Sequence, residues 1–196
     1  MAEVYLVSVI DKSLALARRI CDVVSAGVSN VTPEQNLNPK KLERLFKQRD
    51  IYNYWPQKGE RLLLPEDLID FNYIFSLNGA DGEAPYRCWS EENPDEAEEM
   101  WAKSAEAGKD WKAHFKAKVM DLSTFRRSED KGEALMDPVQ PGGNIMGVRH
   151  SKFEKAFEQI KDAIDRFLLK ELKFSVETKR FVKVNRNATI AEPEIS

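Results

Sequence analysis

The chain has 196 residues, of which 42% are apolar and 32% charged, so it can fold as one domain without a metal or a disulfide. A net charge of −3 excludes a uniformly basic nucleic-acid-binding protein but allows a local basic patch. Two cysteines, Cys21 and Cys88, are too few for a disulfide scaffold or a thiolate metal centre. Because the sequence has neither an apolar run of membrane-spanning length nor a signal-peptide pattern, we expect a cytoplasmic protein that does not enter a membrane.

The first part of the chain predicts a strand followed by two helices. Residues 4–10 are apolar and rich in β-branched side chains, a composition that favours a strand. Ser13 then offers a helix cap, and the apolar spacing after it predicts a helix over residues 14–26. A cap-and-proline pair at residues 38–39 predicts a second helix that ends near Asp50.

The middle of the chain predicts a short helix and a β-hairpin. Pro65, followed by two acidic residues, predicts one helical turn. Residues 71–77 have a period of two, which predicts a strand. A five-residue loop rich in turn formers follows, and residues 84–89 are expected to return as the second strand of the hairpin.

Two charged helices and an irregular connection are expected next. Residues 93–96 repeat the cap-proline-acid pattern and open an acidic helix. Trp111, Phe115 and Val119 recur at steps of four, which predicts the apolar stripe of a lysine-rich helix. Residues 123–150 show little periodicity, and a connection of that length in a compact domain is either functional or mobile.

Residues 151–172 are the least ambiguous element of the sequence. Their apolar side chains recur at steps of three and four, which predicts an amphipathic helix. Ser151 and Glu154 match a capping box at its start. The same helical wheel places Leu169 on the polar side and Glu171 in the apolar arc. We therefore expect the last turn of this helix to have a different neighbour from the earlier turns.

This order of elements predicts an α+β fold with a long amphipathic helix near the C-terminal end. We expect a small, mostly antiparallel sheet with helices packed on one face, completed by one or two strands over residues 174–184. Residues 1–184 are expected to form a single domain, and residues 185–196 a polar tail. A Rossmann-like α/β arrangement is the alternative, and it depends only on the initial strand and helix.

A glycine-rich approach to the long helix is a candidate anion-binding site. The backbone N–H groups of such a loop at a helix N-terminus favour an anion, and nearby cations would strengthen the attraction. The alternative is a flexible connection that ends in an ordinary helix cap, because the spacing matches neither the P-loop nor the dinucleotide-binding turn. The residues of this candidate are Gly142, Gly143, Asn144, Arg149, His150, Ser151 and Lys152.

A basic segment that ends in aromatic residues is a second candidate, for nucleic acid. Cations can hold a phosphate backbone while aromatic rings stack on bases. The alternative is a solvated helix face followed by core aromatics, since Glu43, Asp50 and Glu60 dilute the positive charge. The residues of this candidate are Lys40, Lys41, Arg44, Lys47, Tyr52, Tyr54 and Trp55.

Tryptophans beside acidic residues form a third candidate, a protein interface. Tryptophan is enriched at binding hot spots, although it is also a common core residue. The acids either attract a basic partner or simply suit the N-terminal turn of a helix. The residues of this candidate are Trp101, Trp111, Leu169, Glu96 and Glu99.

The sequence gives thin support for catalysis or a metal centre. His114 and His150 have no metal-ligand spacing, and Cys21 is expected in the core. We therefore expect a non-enzymatic, cofactor-free protein that binds another protein, as an inhibitor, an immunity-type partner or a subunit of a complex. A phosphate- or nucleotide-recognising domain, with or without enzymatic activity, and a nucleic-acid-binding accessory protein are the two alternatives.

Overall fold

The computed structural model describes residues 1–26, 39–55, 61, 63–77, 95, 99, 102, 117–127, 135 and 150–182. These residues form a mixed structure of helices and small sheets with a long helix near the C-terminal end. The helices are α1 (Ala2–Asp11), α2 (Leu14–Ala17), α3 (Pro39–Gln48), α4 (Pro65–Asp70) and α5 (His150–Lys170). The strands are β1 (Ile74–Ser76), β2 (Val119–Asp121), β3 (Phe174–Ser175) and β4 (Arg180–Phe181), and short 3₁₀ helices cover Tyr52–Tyr54 and Leu122–Phe125.

Helix α5 lies at the centre of the core and confirms the expected long helix. Its apolar face is buried against α1, α3, the second 3₁₀ helix and β3. The helix begins at His150, so Ser151 lies in its first turn rather than before it. It ends at Lys170, so Glu171 lies beyond the helix and is exposed. The apolar arc therefore does not have to accommodate that carboxylate. The buried residues of the face are Phe153, Ala156, Phe157, Ile160, Ala163, Ile164, Phe167 and Leu168.

Residues 2–11 form helix α1, so the strand predicted over residues 4–10 is wrong. The buried residues Val4, Tyr5, Ser8 and Val9 lie on one face of a helix. Nearly every residue of this segment is apolar, so the sequence has no period that separates a strand from a buried helix. Packing against α5 favours the helix. Without an initial strand, the Rossmann-like alternative loses its basis.

Helix α2 is a single turn, and the longer helix predicted there is wrong beyond Ala17. Ser13 is its cap, because its side chain accepts a hydrogen bond from the Leu16 N–H at 3.4 Å. Further along, the Ser25 N–H donates to the Glu3 carboxylate at 3.1 Å instead of to a helix carbonyl. A side chain of α1 thus replaces the backbone bond that a continued helix would have made.

The two strand pairs differ in direction, which corrects the expectation of a mostly antiparallel sheet. Strands β1 and β2 are parallel, with Phe75 opposite Met120, whereas β3 and β4 are antiparallel. Val119, expected in a helix, belongs to β2. The ring of Phe75 lies 4.7 Å from that of Phe167 and 6.3 Å from that of Phe125. Burial against α5 therefore accounts for the position of β1, and the antiparallel pair confirms the expected terminal strands.

Helices α3 and α4 confirm the predictions made from their proline starts. Residues 95, 99 and 102 are helical, in agreement with the acidic helix expected there. The return strand expected over residues 84–89, most of the two charged helices and the tail at 185–196 lie outside the described residues. In the described part of the chain, no helix combines the length and apolar composition needed to cross a bilayer.

Candidate functional site

Helix α3 has one buried face and one charged face. Leu42, Leu45 and Phe46 are buried against the core. Lys40, Arg44 and Lys47 follow one another at steps of four and three, so they form a stripe on the opposite side of the helix. All of them are exposed. At 1.5 Å per residue this outward stripe extends over about 10 Å.

The end of α3 turns the chain back along the helix. Asp50 has a positive φ of 54°, and the Ile51 N–H donates to the Phe46 carbonyl at 3.0 Å. The Asp50 N–H donates to the Lys47 carbonyl at 3.3 Å, which completes a Schellman motif. Ile51 is buried and anchors the turn. The motif therefore ends α3 and leads into the following 3₁₀ helix, which packs against both α3 and α1.

A row of aromatic rings connects that turn to the core. The Tyr52 ring lies 6.1 Å from the Trp55 ring, which lies 5.1 Å from the Phe46 ring. Phe46 in turn contacts Phe157 of α5 at 6.4 Å. Tyr52 is 39% exposed at the outer end of this row. The Lys47 ammonium lies 4.9 Å from the centre of the Tyr52 ring. The structure therefore brings the charged stripe and an exposed aromatic ring together.

The cations of the stripe differ in how they are paired. Lys47 Nζ contacts Glu43 Oε1 at 2.6 Å, and this hydrogen bond, followed by the charge of Glu43, raises the pKa of Lys47. Lys40 and Arg44 make no hydrogen bond or ion pair within the residues that the structure describes. Lys41 is half-buried and has its own contact, so it does not belong to the exposed stripe.

Two other residues of this segment contact other parts of the chain. The Tyr54 hydroxyl donates to Asp11 Oδ2 at 2.7 Å, and this bond is the main reason why the pKa of Tyr54 is raised. Arg49, the residue that directly follows α3, contacts Glu158 of α5 at 2.6 Å. Tyr54 therefore positions the turn rather than presenting a free ring.

The anion-binding candidate is described only at its helical end. Gly142, Gly143, Asn144 and Arg149 lie outside the described residues. Ser151 and Lys152 are exposed in the first turn of α5, and His150 is the first residue of the helix. The proposed convergence of the glycine loop on these residues stays a prediction.

The protein-interface candidate is likewise incomplete. Trp101, Trp111 and Glu96 lie outside the described residues, and Glu99 is exposed. Leu169 is 47% exposed, whereas its neighbour Leu168 is fully buried. A single exposed leucine is common on protein surfaces and does not by itself mark an interface.

The other chemical groups expected from the sequence do not form a site in the described structure. Cys21 is exposed and lies outside any helix, so its expected place in the core is wrong. Among the described residues, no three histidine, cysteine or acidic side chains are grouped so that they could hold a metal ion.

Sequence reasoning missed the residues that hold this site in place. Asp50 adopts the left-handed conformation usually given to glycine, and Asp11 anchors Tyr54 from another helix. The polar-then-apolar pair Asp50-Ile51 at the end of an amphipathic helix was the available signal for the turn.

No protein-family model, curated protein or solved structure matches this chain.

Proposed function

We propose that this chain is a nucleic-acid-binding accessory protein that holds a phosphate backbone on the outward stripe of α3. The observation that supports the proposal is the alignment of Lys40, Arg44 and Lys47 on one exposed face, two of them without an acidic partner in the described structure. Lys40 and Arg44 are therefore available to neutralise charge on a partner, whereas Lys47 would have to exchange its contact with Glu43.

The length of the stripe suits a short stretch of nucleic acid. One strand of B-form DNA has a phosphate about every 3.4 Å along the axis, so a stripe of about 10 Å faces about three phosphates. Three contacts make a weak, strongly salt-dependent site rather than a tight one. Such a site suits an accessory protein that acts next to other nucleic-acid-binding surfaces.

The salt dependence of binding tests this proposal. Fluorescence anisotropy of a labelled single-stranded oligonucleotide should give a plot of log affinity against log salt with a slope of about −2, from about −0.7 per contacted phosphate. Arg44→Ala should weaken binding and make the slope about 0.7 shallower, because one phosphate contact is lost. Binding that does not weaken as salt rises would contradict the proposal.

Arg49→Ala is the matched control. It removes the same charge from the residue that directly follows α3, but Arg49 pairs with Glu158 of α5 and is not part of the outward stripe. We expect its slope to equal that of the unaltered protein. Equal losses from both substitutions would mean that net charge, rather than the outward stripe, controls binding.

Binding to another protein is the second candidate function. It depends on the expectation from the sequence that Leu169 shares an interface with Trp101 and Trp111, and Leu169 is 47% exposed. Size-exclusion chromatography of the protein with and without Leu169→Glu tests whether this residue takes part in assembly. A purified protein that forms a complex should lose it on substitution, and an unchanged elution profile would argue against this surface.

A further inference from the structure

We infer that the α3 surface selects single-stranded nucleic acid, with Tyr52 as the platform on which one base stacks. This inference rests on the proposed function, because it assigns the kind of nucleic acid that the same surface holds. It goes beyond the charged stripe, which would attract the backbone of single and double strands alike. The additional observation is the exposed ring at the end of the aromatic row.

The ring of Tyr52 is held in place before any ligand arrives. Its neighbour Trp55 packs against Phe46, which is 1% exposed and contacts Phe157 of the central helix. The Schellman turn at Asp50 fixes the backbone on the other side of the ring. Binding a base therefore requires little further ordering of the protein, which favours affinity.

Lys47 occupies the position that a base would take. Its ammonium lies 4.9 Å from the ring centre, in an exposed cation–π contact. A base stacked on an aromatic side chain is favoured over such a contact by about a factor of 10 in equilibrium constant. We therefore expect a base to displace the Lys47 ammonium from the ring, and the ammonium to exchange its exposed contact with Glu43 for the phosphate next to the stacked base.

The same geometry disfavours the other polyanions. The bases of a duplex are stacked on each other, so a duplex gains only from the cations of the stripe. An acidic peptide could neutralise the same cations, but it offers no planar ring to Tyr52. Only a single strand uses both Lys40–Arg44–Lys47 and the aromatic ring.

Two substitutions of Tyr52 separate stacking from charge, since neither changes the net charge. Tyr52→Phe keeps the ring and should bind a single-stranded oligonucleotide within about twofold of the unaltered protein. Tyr52→Leu keeps an apolar side chain without a ring and should weaken that binding about 10-fold. Both variants should leave the weaker binding of the matching duplex unchanged. A urea midpoint equal to that of the unaltered protein shows that the fold is intact.

The competing ligands make each outcome informative. The same titrations are run with DNA and RNA single strands, the duplex, an abasic oligonucleotide of the same length and a polyglutamate peptide. We expect the abasic strand to bind like the duplex and to be insensitive to Tyr52→Leu. Single strands that bind with normal salt dependence but tolerate Tyr52→Leu would overturn the stacking inference and leave the proposed function standing. Absence of salt-dependent binding to every nucleic acid would overturn both, and tightest binding to polyglutamate would assign the surface to an acidic protein partner.

Discussion

The charged residues of α5 and those on the outward stripe of α3 are used in different ways. Three acidic residues of α5 have charged or polar partners: Glu158 contacts Arg49, Asp162 contacts Arg127 and Arg166, and Asp165 contacts Lys161 and Tyr5. Lys40 and Arg44 on α3 have no such contact among the described residues. Charges that face another element help to join the elements, whereas charges that face away are available to a ligand. Substitutions in α5 should therefore reduce stability, and substitutions in the stripe should reduce binding.

The largest loss of stability is expected from the inward face of α5. Phe167 is buried and its ring contacts those of Tyr73, Phe75 and Phe125. Phe167→Ala should lower the free energy of unfolding by about 3–5 kcal/mol, because it leaves a cavity among these rings. Leu169→Ala, two residues away and exposed, should change it by less than about 0.5 kcal/mol. Urea denaturation followed by circular dichroism measures both, and similar losses would mean that Leu169 is also part of the core.

A smaller loss of stability is expected at Asp67, a buried carboxylate in helix α4. Burial alone would raise its pKa, but hydrogen bonds from Arg61 and the Leu64 N–H, with the charge of Arg61, together lower it. Asp67→Asn should cost about 1–3 kcal/mol, because it breaks a two-bond contact with Arg61 and weakens the cap of α4.

The pH dependence of the loss for Asp67→Asn follows from the lowered pKa of Asp67. A carboxylate with a lowered pKa stabilises the fold above its unfolded pKa, and that contribution is lost as pH falls through the folded value. The stability gap between the unaltered protein and Asp67→Asn should therefore narrow below about pH 4. A gap that stays constant down to strong acid would show that the Asp67 carboxylate is not ionised in the fold.

A loss of about 1 kcal/mol is expected for Tyr5→Phe, which tests the contact between α1 and α5. The Tyr5 hydroxyl donates to Asp165 Oδ1 at 2.5 Å. Burial first, then this bond and the charges of Asp165 and Glu158, raise the pKa of Tyr5. The contribution of the hydroxyl is therefore complete below the unfolded pKa of about 10 and declines as pH rises above it. Urea denaturation at neutral and alkaline pH measures the difference in free energy of unfolding between the unaltered protein and Tyr5→Phe. We expect this difference to shrink only in the alkaline range.

The smallest effects on stability are expected for Arg44 in α3 and for Arg49, the residue that directly follows it. Arg49→Ala removes a partly exposed ion pair with Glu158 and should cost about 0.2–1 kcal/mol. Arg44→Ala should be neutral within about 0.5 kcal/mol. The order should reverse in the oligonucleotide titration, where Arg44→Ala weakens binding and Arg49→Ala does not. A substitution that reduced both the stability of the fold and the binding of the oligonucleotide would contradict the distinction between charges that join elements and charges that bind a ligand.

The parts of the fold that the sequence predicts well are those with a clear period. Helices α3 and α5 could be located because their buried side chains recur at helical spacing. Helix α1 could not, since an almost uniformly apolar segment fits a strand equally well. The parallel pairing of β1 and β2 also escaped prediction, because strands far apart in the chain pair through tertiary packing that no local pattern records.

The candidate site could also be predicted in part from helical spacing. Lys40, Arg44 and Lys47 form a stripe that follows from helical spacing alone, and Tyr52 comes next in the chain. The anchoring of Tyr54 by Asp11 joins residues 43 positions apart, and the contact of Arg49 with α5 joins still more distant ones. Such contacts decide which of the aromatic and basic residues face inward, and they appear only once the helices are packed.

The left-handed backbone at Asp50 limits which residues evolution can place there. A β-branched residue at that position would clash with the turn, whereas glycine, asparagine and aspartate tolerate it. Lys40 and Arg44 need only a positive charge, so lysine and arginine can replace each other at both positions. Position 50 in related chains should therefore vary within a narrower set of residues than positions 40 and 44.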